Sequence, residues 1–123
     1  KLGITVFVTG SMPEEEYQKL LIDQAIMECM TNCARHAGGT RVFIKITNNK
    51  VLCKVQITNN GKKPAEGSQE GGGLASLRKT VEREGGKMQV IFSPEFELIL
   101  LLSHEKDREI KSSEEVTVKI LNS

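Results

Sequence analysis

The sequence has almost no excess of charge of either sign. Its 17 lysine and arginine residues nearly balance 16 aspartate and glutamate residues, which leaves a formal net charge of +1. Proteins that bind DNA or RNA without sequence preference rely on a clear excess of positive charge to neutralise phosphates. The composition therefore argues against a nucleic acid partner.

Long apolar segments are also absent. No stretch of the sequence approaches the roughly 18 consecutive apolar residues that a membrane-spanning helix needs. The N-terminal residues do not follow the basic, apolar and small-residue order of a secretory signal peptide. We therefore expect a soluble, cytoplasmic domain that makes no direct contact with a membrane.

Cysteine is scarce, and Cys29, Cys33 and Cys53 are an odd number of thiols. A chain of this size buries enough apolar surface to fold without disulfides, so free thiols in a reducing cytoplasm are expected. The i,i+4 spacing of Cys29 and Cys33 would place both on neighbouring turns of a helix, as in half of a metal site. No second cysteine or histidine pair at ligand spacing accompanies them, and the metal interpretation is not favoured.

What is present is the composition of one compact domain, with 123 residues of which 38% are hydrophobic and 27% charged. Alternating β-branched residues predict a strand over residues 3–9. Ser11, Pro13 and the acidic run 14–16 have the pattern of a helix start. Up to the Gly-Gly pair at 38–39 the apolar spacing predicts a long helix with one buried face, formed by Leu20, Leu21, Ala25, Met30, Cys33, Ala34 and Ala37.

The next part of the chain predicts a hairpin and a loop. Two β-rich runs, 40–48 and 51–58, flank the dipeptide Asn48-Asn49, which suits a turn with positive φ. Residues 59–73 contain almost no apolar side chains, which predicts a mobile loop. The hairpin should therefore belong to the sheet, and the loop should lie at its edge.

Helical spacing resumes at Leu74 and ends at the Gly85-Gly86 pair, and a second hairpin follows with strands at 87–92 and 96–103. This order of elements predicts an α+β fold. It is a two-layer α/β sandwich in which helices cover one face of a mixed, mainly antiparallel sheet.

The domain is expected to span residues 1–103. Residues 104–123 form a charged tail, within which 115–121 alternates enough for one more strand. The sequence leaves open whether this tail is an edge strand, a linker between domains or sequence foreign to the domain.

The first chemical cluster lies on the long predicted helix. Glu28, Asn32, Arg35 and His36 stand at i, i+4, i+7 and i+8, so a helix of 3.6 residues per turn would align them on one face. A carboxamide oxygen suits a hard cation such as Mg²⁺, and a guanidinium offers planar donors to phosphate. Taken alone, the same pattern also fits a solvated charged face.

Two further clusters flank the predicted loop. Asn59-Asn60-Gly61 follows a strand, and Gly71-Gly72-Gly73-Leu74 opens a helix. Backbone amides freed by glycines at a helix N-terminus bind anions, although a flexible hinge without a ligand would have the same composition.

Together and in this order, the three clusters resemble the boxes of the GHKL (Bergerat-fold) ATPase superfamily. The stretch Glu28-x-x-Thr31-Asn32-x-x-Arg35-His36 is similar to the N box, and the two glycine clusters are similar to the first and second glycine boxes. The resemblance covers residues 1–103. It is closest to the ATP-binding catalytic domains of two-component sensor histidine kinases, of the short-lid type with LytS- or NarL-like sequences.

This resemblance implies ATP and Mg²⁺ as cofactors and gives each box a role. Asn32 would ligate Mg²⁺, Arg35 and His36 would approach the phosphates, and Glu28 would orient the N box and the metal shell. Asn59 would hold the adenine amine. The glycine boxes would supply Gly61 to the first loop and a phosphate cradle formed by Gly71, Gly72, Gly73 and Leu74.

Two positions depart from the family pattern. The first glycine box normally has an aspartate where this chain has Asn59, and a second glycine where it has Lys63. A carboxamide oxygen still accepts a hydrogen bond from the adenine amine, but without charge assistance the bond is weaker by about 1 kcal/mol. The sequence therefore predicts that Asn59→Asp tightens ATP binding by up to that amount. Lys62 and Lys63 would either add phosphate contacts from the loop or, as exposed lysines, only make it more soluble.

The resemblance also implies partners. A histidine kinase needs a phosphoacceptor histidine on a dimerisation domain, and His36 and His104 do not lie in such a helix. The chain is thus expected to be a piece of a longer, membrane-tethered sensor that passes the phosphoryl group on to a response regulator. Two alternatives stay open: a catalytically degenerate nucleotide-binding signalling module, and an anti-sigma-type serine kinase of the same superfamily.

Overall fold

The computed structural model describes residues 3–104. The predicted strand at 115–121 lies outside this range. The described part forms five strands, two α-helices and one π-helical turn. In chain order these are β1 (Thr5–Thr9), α1 (Glu16–Asn32), the π turn (Cys33–Ala37), β2 (Arg41–Asn48), β3 (Leu52–Asn59), α2 (Gly72–Arg83), β4 (Lys87–Ile91) and β5 (Glu97–Ser103).

The strands form one sheet in the order β1-β2-β3-β5-β4. β1 runs parallel to β2, and every other neighbouring pair is antiparallel. Alternate strand residues are buried beneath α1 and α2, among them Val42, Ile44, Val55, Ile57, Leu98 and Leu100. The predicted α+β fold, a mixed and mainly antiparallel sheet with a helical layer on one face, is confirmed.

The buried face of α1 is rotated from the predicted one. Leu20 is 65% exposed, whereas Gln18 is fully buried and its Nε2 donates to the Ser103 carbonyl at 2.8 Å. The inward side of the helix is formed by Gln18, Leu21, Ile22, Ala25 and Cys29. The prediction that Leu20 belongs to the core is wrong, because residues three or four apart can be grouped in more than one way and a polar residue occupies the core position.

The start of α1 also differs from the prediction. The helix begins at Glu16 after Glu15, and no side chain caps it. Ser11, which the sequence offered as a cap, instead uses its carbonyl to accept a bond from Asn48 Nδ2 at 2.8 Å. Segment 10–15 therefore connects β1 to the helix and also packs on the end of the first hairpin.

The β2–β3 hairpin is present as predicted, but its turn works differently. Glycine is the only residue type with positive φ in the described part of the chain. The Asn49 side-chain oxygen accepts bonds from the backbone amides of Val51 and Leu52 at 2.8 and 2.9 Å. The asparagine thus closes the turn through its side chain, and a left-handed backbone is not needed.

Candidate functional site

The candidate site lies at the end of the sheet where β2 and β5 begin and where β3 and β4 end. A cavity of about 440 Å³ opens there between the sheet, the helices and the loop 60–71, within the usual size of small-molecule sites. Its walls are formed by Asn32, His36, Ala37, Asn59, Lys62, Lys63, Pro64, Ala65, Ser68, Gln69, Gly71, Leu74, Phe92 and Phe96. These residues come from both helices, the π turn, the loop and both hairpins.

The π turn decides which N-box side chains reach the cavity. Regular α-helix ends at Asn32, and residues 33–37 form a wider turn that Gly38 closes at φ 59°. The prediction of one α-helical face through position 36 is therefore corrected, because a π turn rotates the residues after it relative to an α-helix. Asn32 and His36 line the cavity, whereas Arg35 is exposed outside its lining.

Glu28 lies half-buried one turn before Asn32 and is not part of the cavity wall. Its carboxylate packs against Gly73, where an added Cβ would overlap the carboxylate oxygens. Gly73 thus leaves space for the Glu28 carboxylate and is not part of the cavity wall. The third glycine of the cluster leaves room for the end of the Glu28 side chain, which could rotate away from a larger residue.

The asparagines of the first glycine box have separate roles. Asn60 Oδ1 accepts bonds from the backbone amides of Thr40 and Arg41, both at 2.8 Å, and this ties the loop to the start of β2. Asn59 lines the cavity, and its Nδ2 donates to the Asn60 carbonyl at 2.6 Å. This bond fixes the carboxamide, and its oxygen remains to accept a bond from a ligand.

Gly61 turns the loop back onto the π turn. Its φ is 106°, and a Cβ at this position would lie 2.5 Å from the Ala37 carbonyl oxygen. The same carbonyl accepts a bond from the Lys62 amide at 2.8 Å. Gly61 is not part of the cavity wall, but it places Lys62 and Lys63 there.

The second glycine box forms the start of α2. Gly71 precedes the helix in an extended conformation without a side-chain cap, and Gly72 and Gly73 begin it. The first amides of an α-helix have no partner within the helix, and they attract anions. Of this cluster, Gly71 and Leu74 line the cavity, whereas Gly72 is exposed outside its wall.

One arginine fixes the end of the loop just before this box. Arg78 Nε donates to the two oxygens of Glu70 at 2.9 and 3.2 Å, and Nη1 donates to the Met88 carbonyl at 2.6 Å. A guanidinium that binds a carboxylate with one side and a carbonyl with the other holds both in a fixed geometry. The loop end is therefore fixed to α2 and to β4.

Two aromatic residues that sequence reasoning did not assign to the site complete the cavity. The register pairs Ile57 with Leu98 and Leu98 with Val90, so these three form one row across β3, β5 and β4, with Val90 partly buried. Phe92 directly follows β4, two residues after Val90, and Phe96 directly precedes β5, two residues before Leu98. Asn59 ends β3, two residues after Ile57, and all three line the cavity. The sequence signal that could have found Phe92 and Phe96 is their alternation, since both lie an even number of residues from the inward-facing residues of β4 and β5.

The cysteines belong to the core and not to the site. All three are buried, and burial together with the neighbouring Glu28 charge raises the pKa of the Cys29 thiol to about 12. A thiol that stays protonated is a poor nucleophile and a poor metal ligand. Cys29 and Cys33 act here as small hydrophobic side chains.

No protein-family model matches the chain. Solved structures do match it. The ATP-binding domain of PrrB from Mycobacterium tuberculosis is 23% identical with a TM-score of 0.59, and the alignment covers 82% of this chain and 80% of that one. Histidine kinase AdeS from Acinetobacter baumannii is 16% identical with a TM-score of 0.62 over 82% of this chain and 53% of that one.

A third similar structure is the blue-light activated histidine kinase EL346 from Erythrobacter litoralis, 19% identical with a TM-score of 0.60 over 81% of this chain and 35% of that one. The chain therefore has the fold of the ATP-binding domains of histidine kinases, and the resemblance predicted from sequence is confirmed at the level of the fold. It spans about half of AdeS and a third of EL346. Within residues 3–104 no helix is long and apolar enough to cross a membrane.

Proposed function

We propose that this chain binds ATP as the catalytic domain of a sensor histidine kinase. The observation that carries the proposal is that one cavity joins residues of all three predicted boxes: Asn32 and His36, then Asn59, then Gly71 and Leu74. These boxes are separated along the chain, so their convergence was not imposed by sequence proximity. A nucleotide is the ligand whose base, phosphates and metal use all of these groups.

The phosphates would lie on the side of the cavity formed by the π turn and the loop. Lys62, Lys63 and His36 line this side, and the uncapped start of α2 lies beside Gly71. Cationic side chains and free helix amides stabilise phosphate charge. Arg35, which is exposed next to His36, would reach the phosphates from outside the cavity.

Asn32 fits a magnesium site. Mg²⁺ is commonly held by one or two protein oxygens together with phosphate oxygens and waters, so one carboxamide at the cavity wall is sufficient. Glu28 lies one helical turn away and would orient the metal shell through water. Bound Mg²⁺ would neutralise charge on the phosphates, and the chain itself contributes the position of the carboxamide.

Phosphoryl transfer depends mainly on position and charge, and little covalent chemistry is required of the protein. The chain would present the terminal phosphoryl group of ATP to a histidine on a separate dimerisation domain. A response regulator would then receive it, and the whole sensor would be tethered to a membrane. The short-lid LytS- or NarL-like type is the subtype we favour.

Titration calorimetry tests nucleotide binding directly. We expect ADP with Mg²⁺ to bind with measurable heat and to raise the melting temperature, since a ligand that binds only the folded state stabilises it. The absence of both heat and thermal shift at millimolar ADP would exclude the proposal. Magnesium-dependent phosphorylation of a supplied dimerisation domain would separate an active kinase from a degenerate nucleotide-binding module.

The second candidate is the degenerate nucleotide-binding module, because Asn59 replaces a carboxylate. The contacts of Asn59 in the structure also change the effect on ATP affinity that we expect from Asn59→Asp. Aspartate would lose the bond to the Asn60 carbonyl, now 2.6 Å from Nδ2, and would place an oxygen against that carbonyl. Losing the hydrogen bond to the Asn60 carbonyl should cost about 1 kcal/mol. This cost offsets the similar gain from a charged acceptor for the adenine amine. We expect ATP affinity within about twofold of the wild type, measured by calorimetry.

The control uses a nucleotide without the exocyclic amine, which should bind the wild type more weakly than ATP because the fixed Asn59 oxygen would lose its donor. A fivefold gain of Asn59→Asp for ATP would show instead that the bond to Asn60 does not restrain the side chain. Equal affinity for both nucleotides would remove Asn59 from the base site.

A further inference from the structure

We propose that Phe92 and Phe96 form an aromatic wall against which the nucleotide base stacks. This inference rests on the proposed function. The two rings are in edge-to-face contact, with centroids 5.9 Å apart and planes at 64°, and both line the cavity. Both side chains are partly buried against the core, so one side of the pair is supported and the other faces the cavity.

The two sides of the cavity differ in chemistry. Across the end of the sheet the strands follow the order β2, β3, β5, β4. The π turn and the two loop lysines lie on the β2 side, because the Lys62 amide is bonded to the Ala37 carbonyl. The aromatic wall lies on the β4 side, where β4 ends and β5 begins. The cationic side of the cavity thus suits the anionic phosphates of a nucleotide, and the aromatic side suits its base.

Asn59 ends β3, which lies between these two sides of the sheet end. The register pairs Thr58 with Glu97, the residues that adjoin Asn59 and Phe96 along the chain, and Asn59 and Phe96 both line the cavity. Its carboxamide is fixed by the Asn60 carbonyl, with the oxygen left to accept a bond. A base stacked on Phe96 would therefore present its edge to Asn59.

This arrangement divides base recognition between two kinds of group. Stacking on an aromatic ring is tolerant of base identity, since every base has a π face, and it contributes much of the affinity. The single fixed acceptor then selects a base with an amine at its edge. A neutral Asn59 in place of a carboxylate is consistent with a site in which the wall, and not a charged hydrogen bond, holds the base.

The test measures ADP binding to variants of the wall by calorimetry, with thermal melting to show that each variant is folded. Phe96→Ala should weaken ADP about tenfold, Phe96→Leu about threefold because it keeps apolar contact but loses the ring face, and Phe96→Tyr should keep wild-type affinity. The matched control is Phe43→Ala, which breaks the other aromatic pair, Phe7 and Phe43, on the opposite face of the sheet. It should leave ADP affinity unchanged.

A second readout locates the base directly. In protein with protons only in its phenylalanine rings, adenine protons of bound ADP should show nuclear Overhauser effects to the Phe92 and Phe96 rings. The effects to Phe96 should be lost in Phe96→Leu, and those to both rings should be kept in Phe43→Leu. Wild-type ADP affinity in both Phe96→Ala and Phe96→Leu, or bound ADP without ring-to-base effects, would overturn the aromatic wall while the proposed function stands. A wild-type protein that does not bind ADP at all would overturn both.

Discussion

Gly61→Ala should destabilise the domain by about 2–4 kcal/mol, from one strained left-handed residue plus a backbone clash. The backbone at Gly61 has φ 106°, and the added Cβ would lie 2.5 Å from the Ala37 carbonyl oxygen and 3.0 Å from the Gly39 Cα. These neighbours are backbone or Cβ atoms and cannot rotate away. The loop must therefore move off the π turn and lose the bond from the Lys62 amide to Ala37.

Two glycines of the same region serve as matched controls. Gly67→Ala has the same kind of conformational cost, at φ 81°, but no atom lies within 4 Å of the added Cβ. Gly72→Ala has neither strain nor contact and should be neutral or slightly stabilising in a helix. Chemical denaturation measures the stability of all three variants. ADP calorimetry at a temperature where the proteins are folded should show Gly61→Ala losing more than tenfold in affinity and Gly67→Ala keeping wild-type affinity. Equal stability of the Gly61 and Gly67 variants would contradict the role given to Gly61.

Asn32→Ala should abolish the gain in ATP affinity that Mg²⁺ provides, a loss of at least tenfold or about 1.4 kcal/mol at saturating Mg²⁺. Asn32 ends α1 at the cavity wall and does not belong to the hydrophobic core, so the fold should remain intact. The measurement is ATP affinity by calorimetry at increasing Mg²⁺, with circular dichroism as the check on folding.

The control for Asn32 lies on the same helix. Thr31 is the preceding residue and does not line the cavity, so Thr31→Ala should keep the full magnesium response. Asn32→Asp should retain or strengthen it, because a carboxylate is also an oxygen ligand for a hard cation. A magnesium response that persists in Asn32→Ala would remove this residue from the proposed metal site and would leave the nucleotide cavity unaffected.

The sheet could be predicted because its signals are local. Residues 41–48 and 52–59 alternate, and each strand hydrogen-bonds to its sequence neighbour, so pattern and pairing agree. The three boxes could also be found from local motifs. Their convergence on one cavity needed only that α1 and α2 cover the same face of the sheet.

What could not be predicted depends on geometry between distant residues. The π turn changes the direction of Arg35, and apolar spacing of three or four residues does not distinguish it from α-helix. Gln18 occupies a core position because the Ser103 carbonyl, far along the chain, accepts its bond. Phe92 and Phe96 join the site only through the register of β5 with both β3 and β4, which no single segment encodes.

The anchor formed by Arg78 has a consequence for how the loop can move over a ligand. Lys62 is bonded to Ala37 at one end of the loop, and Glu70 is held by Arg78 at the other. Only residues 63–69 lie between these two attachments, a contour of at most about 25 Å when fully extended. A loop that is attached at both ends cannot rotate away from the cavity as a hinged lid would. It can only bow outward and return, so the width of the opening above the cavity depends on the length of these seven residues.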